Sequence, residues 1–246
     1  MSNLLVGLQL YTVRDQTAQD FKGTVRRVAE MGYDGVEFAG YGNLAADELA
    51  DLLKETGLQA FGTHVSLAAM ESDLEREIEY CLAIGCPNLV VPHVQPDLLS
   101  GERLHTLTEL LNTFGRRVRE RGLTFAFHNH ASEFAQEDGK YALDIMLENT
   151  DPANLKLELD SYWAAYAGVD PIAYLGKHTG RVALVHLKDM TPERTFTEVG
   201  DGTLDIAGII KAAQAAGARW FLVENDAPTI PSLESARRSL ENLRKF

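Results

Sequence analysis

Six times along the chain a helix-like stretch ends in a glycine that runs straight into a strand-like segment: MGYDGVEF, TGLQAFGTH, IGCPNLVVPH, RGLTFAFH, TGRVALVHL and AGARWFLVE. Glycine takes up the left-handed conformation that closes a helix at little steric cost. Gly32, Gly57, Gly85, Gly122, Gly180 and Gly217 therefore each read as a helix stop feeding a strand. The longest interval, Gly122 to Gly180, holds one more strand, NLKLELD, introduced by Asp151-Pro152, and the opening LLVGLQL completes a set of eight. Eight strands alternating with helical stretches, with no Pro/Gly/Ser linker or change of composition between them, predict an α/β fold: a single (β/α)8 barrel domain over residues 1–246. An open doubly wound sheet is expected to carry a glycine-rich phosphate loop after an early strand, whereas the first strand here runs into YTVRDQT.

Helical spacing of apolar residues supports the same alternation in FKGTVRRVAEM, DELADLLKET, LEREIEYCLAI, LHTLTELLNTFGRRV and IAGIIKAAQAA. Asp170-Pro171 supplies an N-cap and a first-turn proline for another helix.

Side chains alternate along a strand, so in a barrel one parity faces the helices and the other the interior. In LKLELD the leucines Leu155, Leu157 and Leu159 suit the helix side, which turns Lys156, Glu158 and Asp160 inward. The same parity places Gln9, Glu37, His64, His93, His128, His186 and Glu224 at or near the last inward position of their strands, so all eight strand ends carry a polar group. Taken singly, each has a structural reading as a satisfied hydrogen-bonder, a core histidine or a cap. As a ring they point to an active site, because barrels of this kind assemble their sites from strand C-termini above an apolar filling.

Within the ring, His128, Asp160, His186 and Glu224 end consecutive strands five to eight. Two imidazoles and two carboxylates suit one divalent ion of the Mn²⁺, Co²⁺, Fe²⁺ or Zn²⁺ class better than Ca²⁺ or Mg²⁺. The competing reading is a buried salt-bridged cluster without an ion.

The motifs GLQLYTVRD, GYDGVEF, FGTHVSL, FHNHASEF, LELDSYWAAYAGVDP, VHLKDM, EVGDGTLD and FLVEND together resemble the xylose isomerase-like TIM barrels of the sugar phosphate isomerase/epimerase superfamily, which also includes endonuclease IV. The likeness covers nearly the whole chain. It implies a metal set of Glu, Asp, His and Glu on strands five to eight, of which Asp160, His186 and Glu224 match by position. Strand five departs from the pattern, with His128 where the family's epimerases place a glutamate. His128 is then the replacement ligand, Asn129 an orienting amide, and His130 either an acid/base or the ligand in place of His128.

The nuclease branch needs additional metal-binding histidines, one of them three residues after the strand-six aspartate, where this chain has Trp163. Trp163 offers an apolar wall to a sugar ring, or else simply packs.

The resemblance implies chemistry that begins with loss of a proton next to a carbonyl and a metal-stabilised enediolate, leading to isomerisation, epimerisation or β-elimination. Glu224 serves as ligand and base, His130 or Glu133 as the second proton carrier, and Lys188, inward by parity, as a partner for a substrate oxygen. Gln9, Glu37, His64, His93 and Trp163 complete the expected substrate surface. The expected function is a metal-dependent isomerase or epimerase of a keto-sugar or polyol, with an inosose-type or keto-sugar dehydratase as the alternative. A repair nuclease and a catalytically silent sugar-binding barrel rank lower.

Composition narrows the partners. Asp plus Glu number 36 against 23 Lys plus Arg, a formal charge of −13 with no basic stripe, which disfavours nucleic acid. Cys81 and Cys86 form no CxxC pair, the N-terminus has no basic leader, and no apolar run approaches the roughly 20 residues of a membrane span. The expectation is a cytoplasmic protein without membrane attachment, and nothing in the chain excludes a homo-oligomer. EVGDGTLD offers two glycines but no arginine for a phosphate, which favours an unphosphorylated substrate.

Overall fold

In the computed structural model, which describes residues 4–245, eight parallel strands close into one barrel. They are β1 (Val6–Gln9), β2 (Gly35–Phe38), β3 (Gln59–His64), β4 (Asn88–Val91), β5 (Thr124–His128), β6 (Lys156–Asp160), β7 (Val182–Leu187) and β8 (Trp220–Val223). Each strand pairs with its neighbours in sequence order, and β1 pairs with β8 to shut the ring. The main helices between and after the strands are α1 (Phe21–Met31), α2 (Ala46–Thr56), α3 (Leu67–Ala83), α4 (Gly101–Glu120), α5 (Ala142–Glu148), α6 (Pro171–Lys177), α7 (Ile206–Ala216) and α8 (Ser232–Leu243). No helix among the described residues is long and apolar enough to cross a membrane.

All six punctuating glycines lie in the left-handed region, with Gly57 at φ 73° and Gly217 at φ 105°. Asp170 caps α6, its carboxylate accepting from Ile172 N at 2.9 Å. Helix α3 begins well before the periodic stretch LEREIEYCLAI. The backbone leaves helical geometry at Asp73 (φ −158°, ψ 81°), whose carboxylate accepts from Arg76 N at 3.1 Å, so two helical pieces meet there.

Two apolar layers hold the barrel. The larger, between strands and helices, takes in Leu155, Leu157 and Leu159, all fully buried, as the strand parity requires. The smaller fills the barrel interior with Phe61, Val90, Ala126, Leu184 and Leu222. Inward residues two positions further along β5, β7 and β8 are His128, His186 and Glu224, so the apolar filling gives way to polar groups at the C-terminal rim. Strand β3 reaches that rim by a shift of register against β2, where Val36 pairs with Ala60 but Glu37 with Gly62. Only a glycine leaves room there, since a Cβ on residue 62 would stand 2.2 Å from Glu37 Oε1.

A second close approach supplies a test of the packing. A Cβ on Gly115 of α4 would lie 1.9 Å from the carbonyl oxygen of Asn154, a backbone atom that cannot swing aside. Gly115→Ala is expected to destabilise the protein by about 1–3 kcal/mol despite its better helix propensity. A thermal melt reads this directly, and an unchanged or higher Tm would contradict the packing of α4 on the turn before β6.

Candidate metal centre and active site

The strand ends converge on a cavity of about 520 Å³ at the barrel mouth, lined by Tyr11, Ala39, His64, Pro92, His93, His128, His130, Glu224 and Asp226. Below it lies a layer of imidazoles and carboxylates almost wholly shut off from solvent. His186, Glu158, Asp160, Glu37 and Gln9 are fully buried, and His128 nearly so.

The expected ligand quartet comes together. One ligand atom from each of His128, Asp160, His186 and Glu224 lies within 4.8 Å of the others. His186 Nδ1 stands 2.8 Å from Glu224 Oε2, and His128 Nε2 stands 3.7 Å from Asp160 Oδ2. A second quartet, its ligand atoms likewise within 4.8 Å of one another, consists of His64, His128, Glu158 and His186. Glu158 Oε2 is 2.7 Å from His64 Nε2, 3.1 Å from His128 Nδ1 and 3.4 Å from His186 Nε2.

The donors fit a divalent ion of the borderline class. Ligand bonds of about 2.0–2.2 Å at tetrahedral angles separate ligand atoms by roughly 3.3–3.5 Å, close to several of these distances. Glu37 Oε1, Glu158 Oε1 and His128 Nδ1 are buried without a hydrogen-bond partner.

Gln9 and Glu37 sit beneath the cavity and support the imidazoles. The Gln9 amide donates to Glu37 Oε2 at 2.8 Å, and that oxygen lies 2.7 Å from His186 Nε2. His93 falls two residues past the end of β4, exposed at the cavity edge. Trp163 is half-buried on the short helix Ser161–Tyr166, with its ring 5.3 Å from that of His130. Asn129 ties β5 to β6, its Oδ1 accepting from Asp160 N at 3.0 Å. Glu133 holds the loop after β5 by accepting from His130 N at 2.8 Å.

Lys188 is the least expected group in position. Its ammonium is buried and lies 3.1 Å from Asp160 Oδ2, 2.9 Å from Glu224 Oε2 and 2.8 Å from Asp226 Oδ2. Burial works against the charge, but the three carboxylates outweigh it and hold the lysine above its usual range. Burial likewise opposes ionisation of Glu224, and Lys188 and His186 overcome it, so this carboxyl stays well below the usual range. Asp160 is pushed up to about 6 by burial despite Lys188. Burial pulls His128 well below its ordinary value, and it pulls His130 to about 3 with help from the Lys188 charge. Both rings are therefore neutral at pH 7, the form in which an imidazole ligates a metal or accepts a proton.

Sequence reasoning left Glu158, Asp226 and Tyr11 out of the site. Strand parity did turn Glu158 inward. Tyr11 lies in the single 3-10 turn Leu10–Val13 after β1 and Asp226 in the loop after β8, where no strand periodicity marks them; Arg14 joins the two, stacking on the Tyr11 ring at 4.1 Å and donating to Asp226 O at 2.8 Å.

The glycines of EVGDGTLD are already engaged. Asp189 Oδ2 accepts from Gly200 N at 2.9 Å and Gly202 N at 3.0 Å, and Oδ1 accepts from Leu204 N at 3.1 Å.

A closed parallel barrel with His, Asp and Glu gathered at its C-terminal mouth defines a class of α/β barrel built around a polar, metal-compatible centre. The chain belongs to the xylose isomerase-like TIM barrel family, whose pattern it matches over residues 25–246. Among its relatives is an inosose dehydratase of Geobacillus thermodenitrificans, 30% identical over 142 residues, or 50% of this chain and 47% of that one. The match thus spans about half the length of that relative. An inosose dehydratase of Geobacillus kaustophilus is 26% identical over 242 residues, covering 80% of this chain and 77% of its own. In fold, a sugar phosphate isomerase/epimerase from Parabacteroides distasonis superposes with a TM-score of 0.83 at 22% identity, covering 98% of each chain.

Proposed function

We propose that the protein is a divalent-metal-dependent enzyme that removes the proton next to the carbonyl of an unphosphorylated keto-polyol and completes the reaction as loss of water, in the manner of an inosose or keto-sugar dehydratase. The observation that carries this reading is one cavity holding a carboxylate kept ionised, Glu224, a neutral imidazole, His130, and imidazoles that can bear an ion, His64 and His128. Names of relatives support elimination over epimerisation. The absence of a phosphate on the substrate is supported by the cavity lining, in which none of the described residues is Lys or Arg, and by Asp189, which consumes the glycine N–H groups of the 198–204 loop.

A bound divalent ion would polarise the substrate carbonyl and ease the negative charge that develops as the proton leaves. Lys188, one step behind the cavity wall, donates toward the same developing charge. Glu224 takes the proton from carbon. His130, neutral and so free to take up a proton and release it, carries it to the departing hydroxyl. One C–H and one C–O bond break, a C=C bond forms, and water leaves with Glu224 and His130 restored. Tyr11 offers an apolar face to the ring and His93 a polar contact at the edge, while Trp163, outside the cavity lining, backs His130 with its ring 5.3 Å away.

The test is incubation with inososes and ketohexoses in D₂O with Mn²⁺, Co²⁺ or Zn²⁺, followed by NMR. Loss of water with EDTA-sensitive turnover is expected. Epimerised product with solvent deuterium at carbon would replace dehydration by epimerisation on the same site, and turnover unaffected by EDTA would overturn metal dependence. Abasic DNA is expected to survive, since a charge of −13 opposes phosphate approach and Trp163 stands where the nuclease branch has a metal-binding histidine. Metal-dependent cleavage abolished by Glu224→Gln would favour the nuclease instead.

A further inference from the structure

His128 and His186 each face two groups of carboxylates through different nitrogens. On the outer side, toward the rim, His128 Nε2 looks to Asp160 and His186 Nδ1 to Glu224. On the inner side, His128 Nδ1 and His186 Nε2 look to Glu158, and His64 Nε2 joins them. Convergence alone does not choose between the two seats, because in both quartets the ligand atoms lie within 4.8 Å of one another. Two other observations do.

The outer carboxylates already have a cation. Lys188 is 1% exposed and touches Asp160, Glu224 and Asp226. A divalent ion between Asp160 and Glu224 would have to drive that ammonium off two of its three partners or stand beside it against their repulsion. Secondly, His128 Nδ1, on the inner side, is buried without a hydrogen-bond partner, as are the second carboxylate oxygens of Glu158 and Glu37. His128 Nδ1 lies 3.1 Å from Glu158 Oε2 without the alignment of a hydrogen bond, which is how two ligands of one ion stand to each other. Glu37 Oε2, fixed by the Gln9 amide and 3.3 Å from His64 Nε2, is placed as a further oxygen ligand.

We propose that the divalent ion sits in the inner set, on His64 Nε2, His128 Nδ1, Glu158 and His186 Nε2, and that Lys188 is the resident cation of Asp160 and Glu224. The proposal rests on the reading that the enzyme uses a divalent ion, and it changes what the outer carboxylates do. Glu224 is left free of ligation and available as a base, with Lys188 beside it as a tethered positive charge. An ion held there would be reached from the cavity past His64 and His128, both of which line it. Three imidazoles and a carboxylate are a nitrogen-rich set suited to Zn²⁺, Co²⁺ or Fe²⁺ and poorly suited to Mg²⁺ or Ca²⁺.

The test is Co²⁺ titration of metal-stripped protein, read by visible d–d absorption, by elemental analysis after gel filtration and by the metal-induced rise in Tm. Wild type and Asp160→Asn are expected to take up one Co²⁺ per chain with the same spectrum. Glu158→Gln and His64→Ala are expected to bind about 100-fold more weakly or worse, since loss of a supporting residue alone costs about 10–100-fold. Circular dichroism establishes that each variant is folded, and His64→Ala, at the partly exposed edge of the set, carries the test if Glu158→Gln does not fold. Loss of binding in Asp160→Asn with binding retained in His64→Ala would overturn the inner seat and leave the metal-dependent reading standing. Comparable losses in both would overturn it too. If wild type takes up no ion, the metal-dependent function fails along with it.

Discussion

Glu224→Gln is expected to lower turnover by about 10²–10⁴-fold, the usual cost of removing a general base, while the protein still takes up its metal. The substitution keeps the shape and one oxygen of the side chain. It removes the negative charge that faces Lys188 at 2.9 Å and His186 at 2.8 Å. In the free protein that charge is secure: burial opposes it, but Lys188 and His186 hold the carboxyl well below its usual range. A pKa lowered in this way means that the proton is already gone at neutral pH and returns only in strong acid. Any loss of rate between pH 8 and 6 in the wild type must therefore come from another group.

A carboxylate so firmly ionised is a weak base, and the proposed mechanism gives Lys188 a second part in the step. In that mechanism the ammonium would shift part of its hydrogen bonding to a substrate oxygen developing charge, and the proton affinity of Glu224 would rise as the transition state forms. The outcome expected for Glu224→Gln is a collapse of kcat and of solvent deuterium exchange together, with Co²⁺ binding within about tenfold of wild type, less than a lost ligand would cost. Full exchange in this variant would remove Glu224 from the proton-abstraction step. Loss of Co²⁺ in step with turnover would return Glu224 to the ligand set.

The glycine punctuation and the strand parity made the barrel legible from sequence because both are local: a left-handed residue after a helix and a two-residue alternation need no tertiary information. Helices α5 and α8 escaped, the first being a single short piece of seven residues that follows a strand-like Tyr141 rather than a long amphipathic run. The rim was legible for the same reason as the strands. What parity does not report is depth. It turned Glu158 and Asp160 inward alike, and only the strand register, which sets His128 opposite Glu158 and, after a shift between β6 and β7, His186 opposite Asp160, tells the two levels apart. Nor does it report partners. Lys188 was inward by counting, but its three carboxylates come from β6 and from the end of β8 and the loop beyond, and no sequence spacing joins them.

The two histidines of FHNH carry the other large effect. His128→Ala is expected to lose the ion, and His130→Ala to keep it and lose about 10²–10⁴-fold in turnover. They face the same way in the chain, two residues apart, yet their surroundings differ. His128 is the last residue of β5, 2% exposed, with a nitrogen on each side directed at a carboxylate. Both candidate seats for the ion use it, so its removal empties either. His130 is past the strand end, beside the Trp163 ring and under the positive field of Lys188, and belongs to neither quartet. Burial, followed by Lys188, lowers its pKa to about 3, so above that pH it carries no proton on its second nitrogen, and in the proposed reaction it would enter as an acceptor. For that reason His130→Gln, which keeps a hydrogen bond but cannot carry a proton, should be nearly as slow as His130→Ala. Metal content and solvent deuterium exchange measured on the three variants separate the roles. A metal-free His130→Ala with a metal-replete His128→Ala would exchange the two assignments, and a His130→Gln enzyme with wild-type turnover would make His130 a binding residue alone.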